Sequence, residues 1–197
     1  MRRKHKRPDP MQWLIALCFL FGGLSGCINS CRTDFAQLQT DVESYFQNYS
    51  VGYNHLHLFF TNVLHQMKYP LILFVFGFTI FGSIAAVALV CIKGYTLAFA
   101  FSALIRVHGI KGYFLIPVMF GSQCLFVLPF FFLLASACFR LSFSFLRKHY
   151  GSKHIAHLFY GQESIHSFMT HLAVVAFFAF ICAAFDTYVT PQILLLI

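Results

Sequence analysis

Histidine and cysteine are the residue types here that could hold a metal ion, and their spacing does not favour one. His55 and His57 lie two positions apart in a stretch whose apolar pattern is helical, and His154 and His157 would share one helix face. Neither pair has Cys, Asp or Glu nearby at the spacing that metal sites use. We therefore expect solvated or interfacial histidines, with no metal and no cofactor. A metal site is the less favoured alternative.

Asp186 is the one acidic residue inside an apolar run of the sequence. An ionisable group in a membrane segment is costly and therefore indicates a function by default. Its place near the end of the last apolar run predicts contact with interfacial water. Pairing with Arg106 and coupling to an ion are the alternatives. The motifs of zinc peptidases and serine hydrolases are absent, as are paired carboxylates within apolar runs, so we expect no catalytic residues and no enzyme activity.

Cys27 ends the short pattern Leu24-Ser25-Gly26-Cys27, which follows a basic tail and an apolar run. This is the form of a bacterial lipoprotein signal, which would be cut before the cysteine. The alternative is an uncleaved first span in which Gly22 and Gly26 form a helix-packing pair. The uncleaved span is favoured because small residues are common in spans.

The composition indicates that a membrane protein carries these residues. The chain has 197 residues, of which 59% are apolar and 27 are Phe, and only 10% are charged. A typical soluble domain has about 25% charged residues. The net charge of +8 comes mainly from a tail cluster at residues 2–7 and a second cluster at 140–153. Because both clusters flank apolar runs, we expect them to set topology, and specific contact with lipid or nucleic acid is the less favoured alternative. The composition excludes a disordered chain, a nucleic-acid-binding domain and an ordinary soluble enzyme.

The apolar runs predict a basic cytoplasmic tail over residues 1–11 and a single integral membrane domain over 12–197. A span needs about 20 apolar residues. We expect an all-α, polytopic membrane helical bundle with about five transmembrane helices and an extracytoplasmic amphipathic helical segment after the first. The predicted spans are 12–29, 71–92, 94–107, 112–139 and 168–190.

The third predicted span is short and leaves two alternatives open. It is bracketed by Lys93 and Lys111, so it is either a thin crossing or a re-entrant hairpin. Five crossings with the N-terminus inside place ten basic residues inside and four outside, whereas four crossings place eight and six. The positive-inside rule therefore favours five crossings.

The predicted outer loop, residues 30–70, has helical periodicity. Apolar residues recur at intervals of three and four from Phe35 to Tyr49, after a predicted N-cap at 33–34, and again from Leu56 to Met67. We expect an amphipathic helical hairpin on the outer membrane face. Its apolar side either packs on the bundle or docks a partner.

The most specific stretch of the sequence is 91–130. Lys93 and Gly94 follow one apolar run, a short apolar segment leads to His-Gly-Ile-Lys-Gly at 108–112, and an aromatic pair, Gln123 and Pro129 come next. Together with the basic tail, first span and outer helical segment, this pattern resembles the stage II sporulation protein M family of endospore-forming bacteria. The chain departs from the family pattern at 98 and 100, where Ala replaces usual glycines, and at 122, where Ser stands in place of Pro.

The motif residues in this stretch are expected to pack the spans rather than to react. The glycines would permit tight turns, the lysines would reach the interfaces, the glutamine would hydrogen-bond between helices, and the proline would kink a long span. In chain order they are Lys93, Gly94, Gly109, Lys111, Gly112, Gln123 and Pro129.

The resemblance implies a scaffold in the bacterial cell membrane, with a cytoplasmic N-terminus, that works at the sporulation septum. Its partners would be the peptidoglycan hydrolases stage II sporulation proteins D and P, which it would recruit and anchor during engulfment. Besides these hydrolases and the lipid bilayer we expect no nucleic-acid partner, and a homo-oligomer is left open. A small membrane transporter or permease component is the alternative function. The residues expected to touch the hydrolases are aromatics of the outer segment, namely Phe35, Tyr45, Phe46, Phe59 and Phe60.

Overall fold

The computed structural model describes residues 10–50, 55–79, 81–150, 165–190 and 192, and all regular structure in these ranges is helical. The predicted all-α, polytopic bundle is therefore confirmed. The helices are α1 (Pro10–Arg32), α2 (Phe35–Ser50), α3 (His55–Gly77), α4 (Gly82–His108), α5 (Ile110–Ser122), α6 (Leu128–Tyr150) and α7 (Ile165–Tyr188). A π-helical turn, Gln123–Val127, joins α5 to α6.

Four helical segments of the described chain are long and apolar enough to cross a membrane. They are Met11–Arg32, Gly82–His108, Ile110–Ser142 and Ile165–Tyr188. Helix α3 has 23 residues, a length of about 34 Å, but polar residues such as Thr61, Asn62 and Gln66 alternate with apolar ones in its first half. The predicted C-terminal boundary of the outer loop, residue 70, is wrong. Helix α3 begins at His55 and continues without a break through Pro70 into the bundle.

The predicted boundary between the second and third spans is also wrong. Helix α4 is continuous from Gly82 to His108, so Lys93 and Gly94 lie within it and close no span. The segment 94–107 is the second half of this helix rather than a thin crossing or a re-entrant hairpin. Helix α3 ends at Gly77 and α4 begins at Gly82, so the chain reverses direction inside the predicted span 71–92.

Hydrogen bonds make this reversal tolerable in an apolar sequence. The Thr79 amide donates to the carbonyl of Phe76, and the Gly82 amide donates to the carbonyl of Thr79. Ser142 of α6 completes the turn, because its hydroxyl donates to the Thr79 carbonyl at 2.8 Å and accepts from the Ser83 amide at 3.1 Å. A turn with its backbone groups paired this way needs no water.

Helix α1 packs in parallel against α4 through small residues. A Cβ atom added to Gly22 would overlap the carbonyl of Cys91, and one added to Gly26 would overlap the carbonyl of Tyr95. The approach is mutual, since a Cβ atom on Gly94 would overlap the carbonyl of Phe19. Close backbone approach of this kind drives helix association in lipid. The packing interpretation of this segment is supported, and Cys27 lies exposed in the same unbroken helix.

The remaining contacts define the direction of every long helix. Helix α3 runs antiparallel to α7, because Gln66 contacts Asp186 while Phe74 stacks on Phe168. Helix α7 is antiparallel to the α5–α6 segment, and α4 is antiparallel to it too. The chain therefore passes through the bundle in five alternating segments. The core contains Phe131, Leu134 and Phe168, all buried.

The α1–α4 contact predicts a stability loss on substitution of Gly22 or Gly26 and little change on substitution of Gly23. Gly22→Ala and Gly26→Ala are expected to lower the free energy of unfolding by about 1–3 kcal/mol, the usual cost of overpacking. Gly23→Ala is the matched control, because its Cβ atom would lie 3.7 Å from the Cβ of Ala98, an ordinary contact. Unfolding titrations in mixed micelles measure both effects. Equal losses for Gly23→Ala and Gly26→Ala would contradict this packing.

Candidate functional site

A cluster of hydrogen-bonded polar side chains lies inside the bundle, with Asp186 of α7 at its centre. Asp186 is 4% exposed. Its carboxylate accepts hydrogen bonds from Ser122 Oγ at 2.9 Å, Gln66 Nε2 at 2.9 Å and Gln123 Nε2 at 3.2 Å. Next to it, Asn62 Nδ2 donates to Thr187 Oγ1 at 3.1 Å. The cluster thus joins α3, the α5–α6 junction and α7.

Two of the sequence-based expectations for Asp186 are therefore corrected. The carboxylate is buried among protein donors rather than solvated at an interface. Arg106 is not its partner, because the Arg106 guanidinium donates to the backbone carbonyls of Ser30 and Thr33 at the end of α1. A cation is well placed there, since the last carbonyls of a helix carry partial negative charge. Arg106 thereby stabilises the corner between α1 and α2.

Irregular helix geometry places two of the donors. Gln123 is the first residue of the π-helical turn. Such turns are rare in proteins, and those that occur are often found at functional sites. Pro70 follows Gln66 by four residues inside α3, so the Gln66 carbonyl cannot accept the usual helical hydrogen bond from position 70. Both glutamines therefore lie where the regular helical pattern is interrupted.

A cavity of about 760 Å³ adjoins the cluster. This volume is within the range of ordinary ligand sites, about 300–1,000 Å³. Helices α2, α3 and α4 supply most of the wall, and Met119, Phe120, Gln123 and Asp186 complete it. Its polar side chains come from several helices: Asp41, His57, Thr61, Asn62, His65, Gln66, Lys68, Lys93, Thr96, Gln123 and Asp186.

Two lysines of this wall share one aromatic ring. Lys68 Nζ lies 5.1 Å from the centroid of Tyr69, and Lys93 Nζ lies 5.0 Å from the same centroid. These distances are typical of cation–π contacts. The prediction that Lys93 reaches a membrane interface is wrong, because the residue lies near the middle of α4 with its amine at the cavity wall.

Among the predicted partner-binding aromatics, those whose side chains the structure describes differ in exposure. Phe35 at the start of α2 is 47% exposed, and Phe60 on α3 is 54% exposed. Phe59 instead packs edge-on against Phe180 of α7, with ring centroids 5.2 Å apart. The side chains of Tyr45 and Phe46 lie outside the described residues. Phe35 and Phe60 are therefore the members of this set that the structure describes as accessible.

The predicted motif residues have several different roles. Gly109 has φ of 58°, the left-handed region that favours glycine, and it turns α4 into α5. Gly112 permits close approach to the carbonyl of Leu104, and Lys111 is exposed. Gln123 forms the predicted hydrogen bond between helices, to Asp186. Pro129 lies at the start of α6, directly after the π-helical turn.

Only one member of the two histidine pairs, His57, has a side chain that the structure describes. Among the described residues, no three His, Cys, Asp or Glu side chains converge as ligands. His57 lies on the cavity wall, while the side chain of His55 and both His154 and His157 lie outside the described residues.

Three residues of the polar cluster, Gln66, Asn62 and Thr187, were not identified from the sequence. The position of Gln66 four residues before Pro70 was a usable indication for the first of these.

The helical passes, buried polar cluster and cavity define a class: a polytopic helical membrane protein with a polar site inside its bundle. The family model described as Stage II sporulation protein M matches residues 15–191. The chain therefore belongs to the stage II sporulation protein M family and is a sporulation-related membrane protein. No curated protein and no solved structure matches the chain.

Removal of the Asp186 carboxylate, which accepts the hydrogen bonds of the cluster, is expected to lower stability strongly. Asp186→Leu is expected to lower the free energy of unfolding by about 2–4 kcal/mol, because Gln66, Ser122 and Gln123 lose a charged acceptor in a buried site. Phe185→Leu, at an exposed position of the same helix turn, serves as the control and should cost less than about 1 kcal/mol. Unfolding in mixed micelles is the measurement. Equal stability of the two variants would show that the cluster is unimportant for the fold.

Proposed function

We propose that the protein is a membrane scaffold that recruits and anchors peptidoglycan hydrolases, the stage II sporulation proteins D and P, at the septum during engulfment. In this function the chain cuts no wall itself. It supplies a membrane address and a docking surface. The observation that carries the proposal is membership of the stage II sporulation protein M family over residues 15–191.

Helix α2 supports the proposal as the docking element. Leu38 is 1% exposed and α2 packs against α4, so the helix has a packed side and a free side. Phe35, Gln39 and Glu43 are exposed, and their spacing of four places the aromatic ring beside polar side chains on one side of the helix. Interfaces commonly have aromatic anchors within a polar rim. Helix α2 therefore has the amphipathic form that a partner-binding helix needs.

The proposed orientation places the N-terminal tail in the cytoplasm and α2 on the opposite side. The five alternating helical segments carry the chain from one side of the bundle to the other. With this orientation the basic tail and the basic residues near Tyr150 lie inside, as the positive-inside rule requires. Helix α2 and the Gly109 turn would then face the cell wall, where the hydrolases act.

This function predicts that a charge at the exposed aromatic position blocks recruitment. Phe35→Asp is expected to reduce co-purification of the two hydrolases by at least about tenfold, since an interface anchor contributes about 2 kcal/mol or more and each 1.4 kcal/mol is tenfold in affinity. Gln37→Asp is the matched control, because it adds the same charge to the same exposed helix turn. Membrane extraction followed by immunoblotting of both hydrolases measures the effect.

Insertion of both variants into the membrane must be normal for the comparison to be valid. Full recovery of the hydrolases with Phe35→Asp would exclude this residue as an anchor. Wall degradation by the purified chain alone would overturn the scaffold itself.

A membrane transporter or permease component is the second candidate, and the polar cavity favours it. A buried carboxylate beside a cavity of about 760 Å³ is an arrangement that transporters use for substrate or ion binding. Flux into proteoliposomes that falls with Asp186→Asn would establish this function. Absence of flux for the purified chain across a broad panel of solutes would remove it.

A further inference from the structure

Two lysines lie at mid-height of the bundle, on the wall of the cavity between α3 and α4. Lys93 is about 17 Å along α4 from Gly82 and about 23 Å from His108. Its ammonium group shares the Tyr69 ring with that of Lys68, and no salt bridge joins either lysine to a carboxylate among the described residues. Because a cation at this depth of a membrane is costly and usually paired, the two lysines indicate an anion that belongs between them.

A second copy of the chain does not supply this anion. The sequence has six acidic residues, and Asp186 is the one inside an apolar run. Its carboxylate already accepts hydrogen bonds from Gln66, Ser122 and Gln123. Asp41 also lines the cavity, but it belongs to the amphipathic helix α2 rather than to a candidate span. The missing carboxylate or other anion therefore comes from a different molecule.

The cavity is open to the surroundings of the bundle at the depth of the lysines. On α3, Thr61, His65 and Lys68 line the cavity and are exposed, and Thr96 on α4 is exposed as well. The α3 residues follow one another at intervals of four and three, so they share one face of the helix. Polar side chains at this depth are unfavourable against hydrocarbon. The open side of the cavity therefore needs a polar or charged partner.

The wall on α4 has side chains that suit packing against a helix. Leu97, Ala100 and Leu104 line the cavity at intervals of three and four, so they share one face of α4. Small residues let helix backbones approach closely in lipid, and threonine hydroxyls form hydrogen bonds between membrane helices. The cavity thus lies between a polar face of α3 and an apolar face of α4, which together match an amphipathic helix.

We propose that this cavity binds a transmembrane helix of another protein that carries an aspartate or glutamate near its middle. The carboxylate lies between the ammonium groups of Lys68 and Lys93, and the apolar side of the helix packs on α4 beside Ala100. Charge-assisted hydrogen bonds of this kind are roughly twice as strong as neutral ones. The proposal goes beyond the docking of hydrolases on α2, because this contact lies within the membrane and does not use the exposed side of that helix.

The test uses synthetic transmembrane peptides of leucine and alanine with Glu or Gln at the central position. Energy transfer from the labelled full chain to each labelled peptide, in phosphatidylcholine vesicles, measures binding. The Glu peptide is expected to bind at least about tenfold more tightly than the Gln peptide, which has the same shape without the charge. Equal binding of the two peptides would overturn the proposal.

Charge changes at Lys68 test the same contact from the side of the protein. Lys68→Gln should weaken binding of the Glu peptide by at least about tenfold, since one of its two cationic partners is lost. Lys68→Glu should abolish the preference for the Glu peptide, because its own carboxylate then lies beside Lys93. Both variants alter an exposed side chain, so the fold is retained. Unchanged affinity in these folded variants would contradict the proposed pairing.

Lys111→Gln is the matched control, because it removes the same charge at an exposed position outside the cavity wall. It should change the affinity for the Glu peptide by less than about twofold. A loss as large as that of Lys68→Gln would show that net charge alone draws the peptide to the protein, and would overturn the site.

Photocrosslinking locates the bound peptide on the protein. A benzophenone side chain in place of Thr96 lies on the cavity wall, whereas one in place of Ile84 lies on the same helix outside that wall. Ile84 is 69% exposed, so both positions are accessible from the membrane. We expect the Glu peptide to crosslink at position 96 and not at position 84. Equal crosslinking at both positions would exclude the cavity as the binding site.

Other occupants would give different results. Energy transfer between two labelled copies of the chain that Lys68→Gln abolishes would identify a second copy as the occupant. Release of the Glu peptide by inorganic phosphate, but not by sodium chloride at the same ionic strength, would identify a soluble anion. Either result would overturn the proposal of a partner helix.

Discussion

Pairing of polar groups within the protein is the constraint on which this structure depends. In a lipid-surrounded bundle a buried polar group is stabilised mainly by partners inside the protein, because hydrocarbon offers none. Asp186 meets this requirement with donors from α3 and from the α5–α6 junction. The same contacts allow the polar half of α3 to lie in the bundle. The α3–α4 reversal follows the same rule, since Ser142 pairs with the turn at Thr79.

Close packing of backbones is the second source of stability, and it acts where α4 contacts α1. Gly22, Gly26 and Gly94 let α1 approach α4 without intervening side chains. Apolar side chains gain little from leaving lipid for a helix interface, so such approach is a principal source of helix association. Helix α4 contacts α1, α2, α3, α5 and α6. It is therefore the central helix, and Lys93 in its middle is brought to the cavity as a consequence.

Sequence patterns predicted the elements that local chemistry determines. The helical period of α2, the turn at Gly109 and the interhelical bond of Gln123 were all predictable from residue type and spacing. The reversal near Thr79 was not, because its backbone is paired by Ser142, which lies 63 positions away in the sequence. The burial of Asp186 was missed for the same reason, since its three donors come from residues distant in the sequence. A hydropathy pattern contains no information on such pairs.

A buried carboxylate on α7 is the common contact of α3 and the α5–α6 junction beside a ligand-sized cavity. The most direct test is a double-mutant cycle of Gln66→Leu and Asp186→Leu, measured as free energies of unfolding in mixed micelles. The double variant is expected to lose less stability than the sum of the single losses, by about 1–3 kcal/mol. Losses that add to within about 0.3 kcal/mol would show that the two residues do not interact, and would contradict the central claim.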